Sequence, residues 1–142
     1  MKAALLRVAA LLALSAPAMA ADISPGLWEI TMETRVASAP GFAPAPFHLT
    51  QCFTAEDARD PEKAIARVAN PGATDCTYTE KNYSGSTLDF AMQCAGTFAI
   101  QSRGRISFSS DSMDGTIDSK ANVGGGVVDT QNRVSARRVG GC

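Results

Sequence analysis

The chain is short of the residues that most catalysis uses. It has one histidine, His48, one tryptophan and two tyrosines in 142 residues, and aromatics make up only 6%. It carries no G-x-S-x-G, H-E-x-x-H, P-loop or dinucleotide fingerprint, so the commonest hydrolase, peptidase and nucleotide-binding chemistries have no sequence basis. His48 stands between Phe47 and Leu49 with no motif supplying a nucleophile or an orienting acid; the expectation is a strand-edge histidine. No C-x-x-C pair occurs among the four cysteines, which argues against a zinc site. The stretch "DSMDG" lacks the oxygen spacing and distal glutamate of an EF-hand loop and reads as a turn. No enzyme, no cofactor and no metal are therefore expected. Beyond residue 20 no apolar run approaches the ~20 residues that span a bilayer, and the basic residues are too scattered for a nucleic-acid surface.

What is present begins with "MKAALLRVAALLALSAPAMA". Lys2 and Arg7 precede an apolar core from Val8 to Leu14, Pro17 breaks it, and Ala18-Met19-Ala20 has the small-x-small pattern of a cleavage site. This reads as a secretory signal peptide over 1–20, cut after Ala20, with export to the periplasm or beyond. Residues 21–142 are then a single domain. Without Lys2 and Arg7 the chain keeps 11 basic against 14 acidic residues, a net charge of −3. No stable membrane insertion is expected once the signal is removed.

The domain alternates in period two along most of its length, the mark of half-buried strands. In "GLWEITMETRV" Trp28, Ile30, Met32 and Val36 share one face and Glu29, Thr31, Glu33 and Arg35 the other. A proline-rich stretch follows, then a short strand through "FHLTQCF". The one helical segment predicted is 61–69: Thr54 and Asp57 resemble a capping box, Asp60-Pro61 forms a second N-cap, and Asn70-Pro71-Gly72 stops it. From Cys76 onward strands succeed one another, with Leu88, Phe90, Met92, Phe98, Ile100, Ile106 and Phe108 inward. The fold class is mainly β: about seven antiparallel strands in meander order, forming a curved sheet or incomplete barrel.

Four cysteines in an exported chain imply two disulfides. A hairpin centred on Gly85 sets Cys76 opposite Cys94 and Tyr78 opposite Met92, close enough to bridge. Cys52 is then left for Cys142, which closes a loop of roughly ninety residues and pins the last strand. Cys52–Cys76 with Cys94–Cys142 is the alternative.

Several stretches together resemble the domain of unknown function 3617 family, small exported bacterial proteins: "PGLWEIT", "QCFTAED", the Cys76…Cys94 hairpin, "RGRISFSSDSMDGT" and "ARRVGGC". The resemblance implies an exported, disulfide-bearing β domain. It implies no function and brings no functional residues.

Two expectations concern sites. The inward parity includes the small residues Ser102, Gly104, Ser119, Ala121, Thr130 and Asn132, while Trp28, Met32, Phe90, Met92 and Phe108 are large. A curved sheet so lined leaves a concave pocket bordered by Trp28, Met32, Phe90, Met92, Phe108 and Ala121, unless the helix or the proline loop fills it. Alternation from Val134 and Ala136 points Arg138 inward, where Glu80, inward by the parity of its own strand, would pair with it; a register break leaving Arg137 and Arg138 solvated is the alternative. The function expected is non-catalytic binding of a small apolar or lipid-like envelope molecule. The competing reading is an interaction or structural module, with an envelope protein as partner, using an edge strand or the proline-rich segment 36–47.

Overall fold

The computed structural model describes residues 22–142. The expected signal peptide and its cleavage point lie outside the described residues. Seven strands form one antiparallel sheet: β1 (Gly26–Val36), β2 (Phe47–Phe53), β3 (Cys76–Ser84), β4 (Thr87–Cys94), β5 (Ile100–Phe108), β6 (Ser112–Val123) and β7 (Gly126–Gly140). Their spatial order is β2-β1-β7-β6-β5-β4-β3, and the sheet is not closed. From β3 to β7 it is the predicted meander. β1 then docks on β7, so the last strand made lies inside the sheet and the consecutive strands β2 and β3 form its opposite edges.

That order dictates where the helices go. The segment joining β2 to β3 has to cross the whole sheet, and it does so over one face as α1 (Ala55–Ala58) and α2 (Pro61–Ala69). The shorter helix was not predicted as such; its capping box was. Thr54 Oγ1 accepts from the Asp57 amide at 3.2 Å while the Asp57 carboxylate accepts from the Thr54 amide at 3.0 Å. The same carboxylate takes Arg67 Nη1 at 3.1 Å and so ties α1 to α2. In α2, Asp60 caps the Lys63 amide and Pro61 occupies the first turn, where its missing N–H costs nothing.

The covered face holds the core. Ala64, Ile65, Val68 and Ala69 of α2 pack on Trp28, Ile30, Leu88, Phe90, Met92, Ile106, Phe108, Met113, Ile117 and Val134 of the sheet. Each large apolar side chain buried there contributes about 1.5–3 kcal/mol. The one tryptophan is fully buried beside Phe53, ring centroids 5.5 Å apart, and its Nε1 donates to the Ser24 carbonyl at 3.0 Å. Phe98 departs from the expected inward pattern: β5 starts only at Ile100, after a turn with Gly96 and Ala99 at positive φ, and the Phe98 ring stays exposed.

Both disulfides follow the first pairing, Cys52–Cys142 and Cys76–Cys94. The hairpin sets Cys76 opposite Cys94 and Tyr78 opposite Met92, but its turn is the pair Gly85-Ser86, with Ser84 opposite Thr87, and not a turn centred on Gly85. After Tyr78 the register shifts by a bulge at Thr79. Lys81 and Tyr83 thereby join the helix-covered face, where both hold the Glu62 carboxylate, at 2.8 and 3.2 Å. Tyr78 Oη donates to the Glu62 carbonyl at 2.6 Å, so three β3 side chains hold the first turn of α2. Burial, then the Glu62 charge and its hydrogen bond, push the Tyr83 hydroxyl up to about 12.

Candidate functional site

The face that no helix covers carries most of the sheet's polar side chains, and the strand registers arrange them in rows. One row crosses the sheet as Arg35, Gln131, Asp118, Arg103, Ala91 and Glu80, each opposite the next. The next row toward the β6–β7 turn reads Asp129, Lys120, Gln101 and Gln93. Charges of opposite sign alternate along and between these rows, the arrangement that stabilises cross-strand neighbours. Arg103 clasps Glu80 through two bonds of 3.0 and 3.1 Å, and Lys120 reaches Asp129 at 3.4 Å. Among the described residues Asp118 has no ion-pair partner.

All residues of these two rows except Arg35 and Glu80, with Thr79 and Ala37 at the ends, line a cleft of about 460 Å³. Its walls offer amides that both donate and accept (Gln93, Gln101, Gln131), a free carboxylate (Asp118), and cations held in place by their own partners. Asp118 and Gln131 also border an adjoining depression lined by Glu33, Arg35, Thr116 and Arg133, which leads to a third between Thr31 and Ser135. The three depressions thus adjoin one another along the open face. Beside them Arg105 grips Asp89 at 2.6 and 3.0 Å; that hydrogen bonding and charge hold the Asp89 carboxyl below its ordinary value and Arg105 above its own.

The apolar pocket expected on the other face is not formed by its six residues. Trp28, Phe90, Met92 and Phe108 are buried in the core, while Met32 and Ala121 are half-buried. Trp28 lies opposite Arg138 and Ala121 opposite Val128. Ten residues of β7 separate those two positions, roughly 33 Å along a strand. One pocket cannot take in both. The small inward residues are spoken for as well: a Cβ on Gly104 would sit 3.0 Å from Phe90 Cζ and 2.7 Å from the Thr116 carbonyl oxygen. Phe90 thus fills the space that the glycine leaves. Ser102 donates to Asn70 Oδ1 at 2.8 Å at the end of α2, and Asn132 accepts from the Thr34 hydroxyl at 2.8 Å.

Arg138 and Glu80 do not pair. The bulge at Thr79 turns Glu80 onto the open face, where Arg103 takes it. Arg138 keeps the parity of Trp28 but lies at the exposed end of β7, where its Nε donates to the Pro25 carbonyl at 2.8 Å. His48 is exposed on β2 against the Thr31 hydroxyl, 3.1 Å from Nδ1. Among the described residues no three His, Cys, Asp or Glu side chains converge on a metal-sized site.

The family model "Protein of unknown function (DUF3617)" matches residues 23–142. The chain belongs to this family. No curated protein and no solved structure matches it. The match runs through both disulfides and all seven strands, so the cleft in this DUF3617 chain is built wholly from residues inside the family region. Two disulfides with no free cysteine among the described residues suit a non-cytoplasmic protein. No helix among those residues is long and apolar enough to cross a membrane.

The cleft residues were missed by sequence reading. Gln93, Gln101, Arg103, Asp118, Lys120, Asp129 and Gln131 all fall on the outward parity of their strands, which alternation alone marks as solvated surface. The available signal was their density of amides and balanced charge on four successive strands.

Proposed function

We propose that this protein is an exported, non-catalytic binding domain of the bacterial envelope, released from its signal peptide after Ala20, and that it holds a polar, hydroxyl-rich ligand in the cleft of the open sheet face. The observation that carries this is the cleft itself, about 460 Å³, with Gln93, Gln101, Gln131 and Asp118 turned toward one space. Amides and carboxylates that donate and accept side by side match vicinal hydroxyls of a sugar or polyol, whereas they would leave an apolar ligand's site full of unpaired polar groups. The apolar-ligand reading loses support because four of the six side chains assigned to that pocket, Trp28, Phe90, Met92 and Phe108, are packed as core. The edge-strand reading is less favoured on the same grounds. β3 carries a bulge and Lys81, and β2 follows a run of prolines and is bound to Cys142, all features that discourage strand addition. No catalytic role is proposed for His48, whose recorded partner is a threonine hydroxyl.

Native mass spectrometry of the protein isolated from the cell envelope tests this. A reproducible added mass of a hydroxyl-rich compound, absent from Gln131→Trp, is the expected result. Retention of the same mass by Gln131→Trp would overturn the assignment. So would unlabelled periplasmic extract that shifts no cleft amide of the ¹⁵N-labelled apo protein.

A further inference from the structure

Seven large apolar side chains are exposed among the described residues, and five of them, Phe42, Phe47, Phe98, Val123 and Val127, lie at one end of the sheet, each 48–63% exposed. This is the end where β1 and β6 finish and β2, β5 and β7 begin. Backbone hydrogen bonds join its three loops into one rim. The Ala37 amide donates to the Asp129 carbonyl at 3.0 Å, and the Asn122 amide to the Phe98 carbonyl at 2.8 Å. From β2 to β5 the rim crosses four strand spacings, about 19 Å.

The same loops are without charge. No Asp, Glu, Lys or Arg occurs in 37–47, 95–102 or 121–128. Lys120 and Asp129 flank the third of these segments, and Asp75 sits to the side, against Ala95. The opposite end carries Glu56, Asp57, Arg59, Asp60, Asp111 and Arg138.

We propose that this rim docks the domain reversibly on a zwitterionic membrane surface, with the Phe and Val tips sunk to the boundary between headgroups and acyl chains. The occupant follows from chemistry. Protein-binding hot spots draw on Trp, Tyr and Arg, and the three segments contain none. The tips form a line along a sheet end, which suits a plane better than a knob. Directly behind them Arg35 and Lys120 stand among Asp118 and Asp129, two charges of each sign, complementary to headgroups that carry both. Apolar tips with a polar body behind them lie in an interface and do not span it. This goes beyond the cleft's ligand and does not depend on it.

Flotation with phosphatidylethanolamine–phosphatidylcholine vesicles tests the proposal on the chain without residues 1–20, both disulfides verified by mass. The wild type floats, and about 0.5 M salt leaves it floating, since apolar contact is not screened. Phe42→Ser and Phe98→Ser each lower the partition coefficient about tenfold. Val139→Ser, equally exposed at the far end, and Gln131→Trp leave it unchanged. Phe98→Trp, the mildest change, shifts its emission to the blue on vesicle addition. Failure of the wild type to float, loss of flotation in salt, or an unshifted emission from the Phe98→Trp variant would each overturn it. Concentration-dependent self-association abolished by Phe42→Ser would assign the rim to a second copy and overturn it too.

Discussion

At the scale of single residues, Asp57 shows how a small acidic cap carries more than its helix. Burial alone would raise its carboxyl. The Thr54 amide and hydroxyl, with the Arg67 and Lys63 charges, outweigh that and hold it below the ordinary 3.8. A carboxyl depressed in the folded state stabilises above its unfolded pKa and stops doing so as the pH falls through its folded value. Asp57→Asn keeps the shape and drops the charge. It should cost about 1–2 kcal/mol at pH 7, and the gap between variant and wild type should close as the pH falls from about 4 downward. Urea unfolding of both proteins at pH 7 and pH 3 measures this, and an undiminished gap at pH 3 would show that the charge is not what matters. This cap was legible in the sequence because Thr54 and Asp57 are three residues apart. The use of Gly104 was not, since a missing side chain in a strand reads equally well as empty space or as room for Phe90.

At the scale of elements, the hairpin between β3 and β4 and its Cys76–Cys94 pairing were legible from Gly85 and the spacing of the cysteines, although the turn is the pair Gly85-Ser86 and the bulge makes up the extra residue. That bulge was not legible. "TYTEKNYS" holds no glycine or proline to announce an extra residue, and one residue of slip exchanges the faces of all that follows; hence Glu80 was assigned to the wrong side. The two disulfides act on elements of different reach. Cys76–Cys94 closes 18 residues of a hairpin that its own ladder already holds, whereas Cys52–Cys142 spans 90 and clasps β2 to the end of β7 across β1, where Leu27 faces both Cys52 and Gly140. Chain-entropy estimates give roughly 3 kcal/mol for the first and roughly 4–5 kcal/mol for the second. Replacing Cys52 and Cys142 by serine should therefore lower the denaturation midpoint more than replacing Cys76 and Cys94. The opposite order in guanidinium titrations would mean that the hairpin bond holds α2 and the core as well as its own loop.

At the scale of the whole molecule, the decisive pairing is the least local one. Alternation and turn residues deliver the run from β3 to β7, since each strand meets the next. Nothing local says that β1 lies on β7, yet that pairing covers Val36 to Leu27 and brings Thr34 within 2.8 Å of Asn132, 98 residues away. The cleft was illegible for the same reason: its rows exist only once β4 to β7 are in register. A sheet in which the last of the seven strands lies in the interior cannot be completed before that strand is made, and long-range pairing of this kind folds slowly. Truncation after Val123 should therefore not leave a smaller folded domain. It removes β7 and with it the partner of both β1 and β6, separating a two-stranded ribbon, which is marginal alone, from a four-stranded sheet that has lost Val134 and Ala136 from its core. Far-UV circular dichroism during thermal unfolding should show no cooperative transition for residues 21–123. A sharp transition there would mean that β3–β6 with α2 is a folding unit by itself, and that β1 and β7 are added to it rather than required by it.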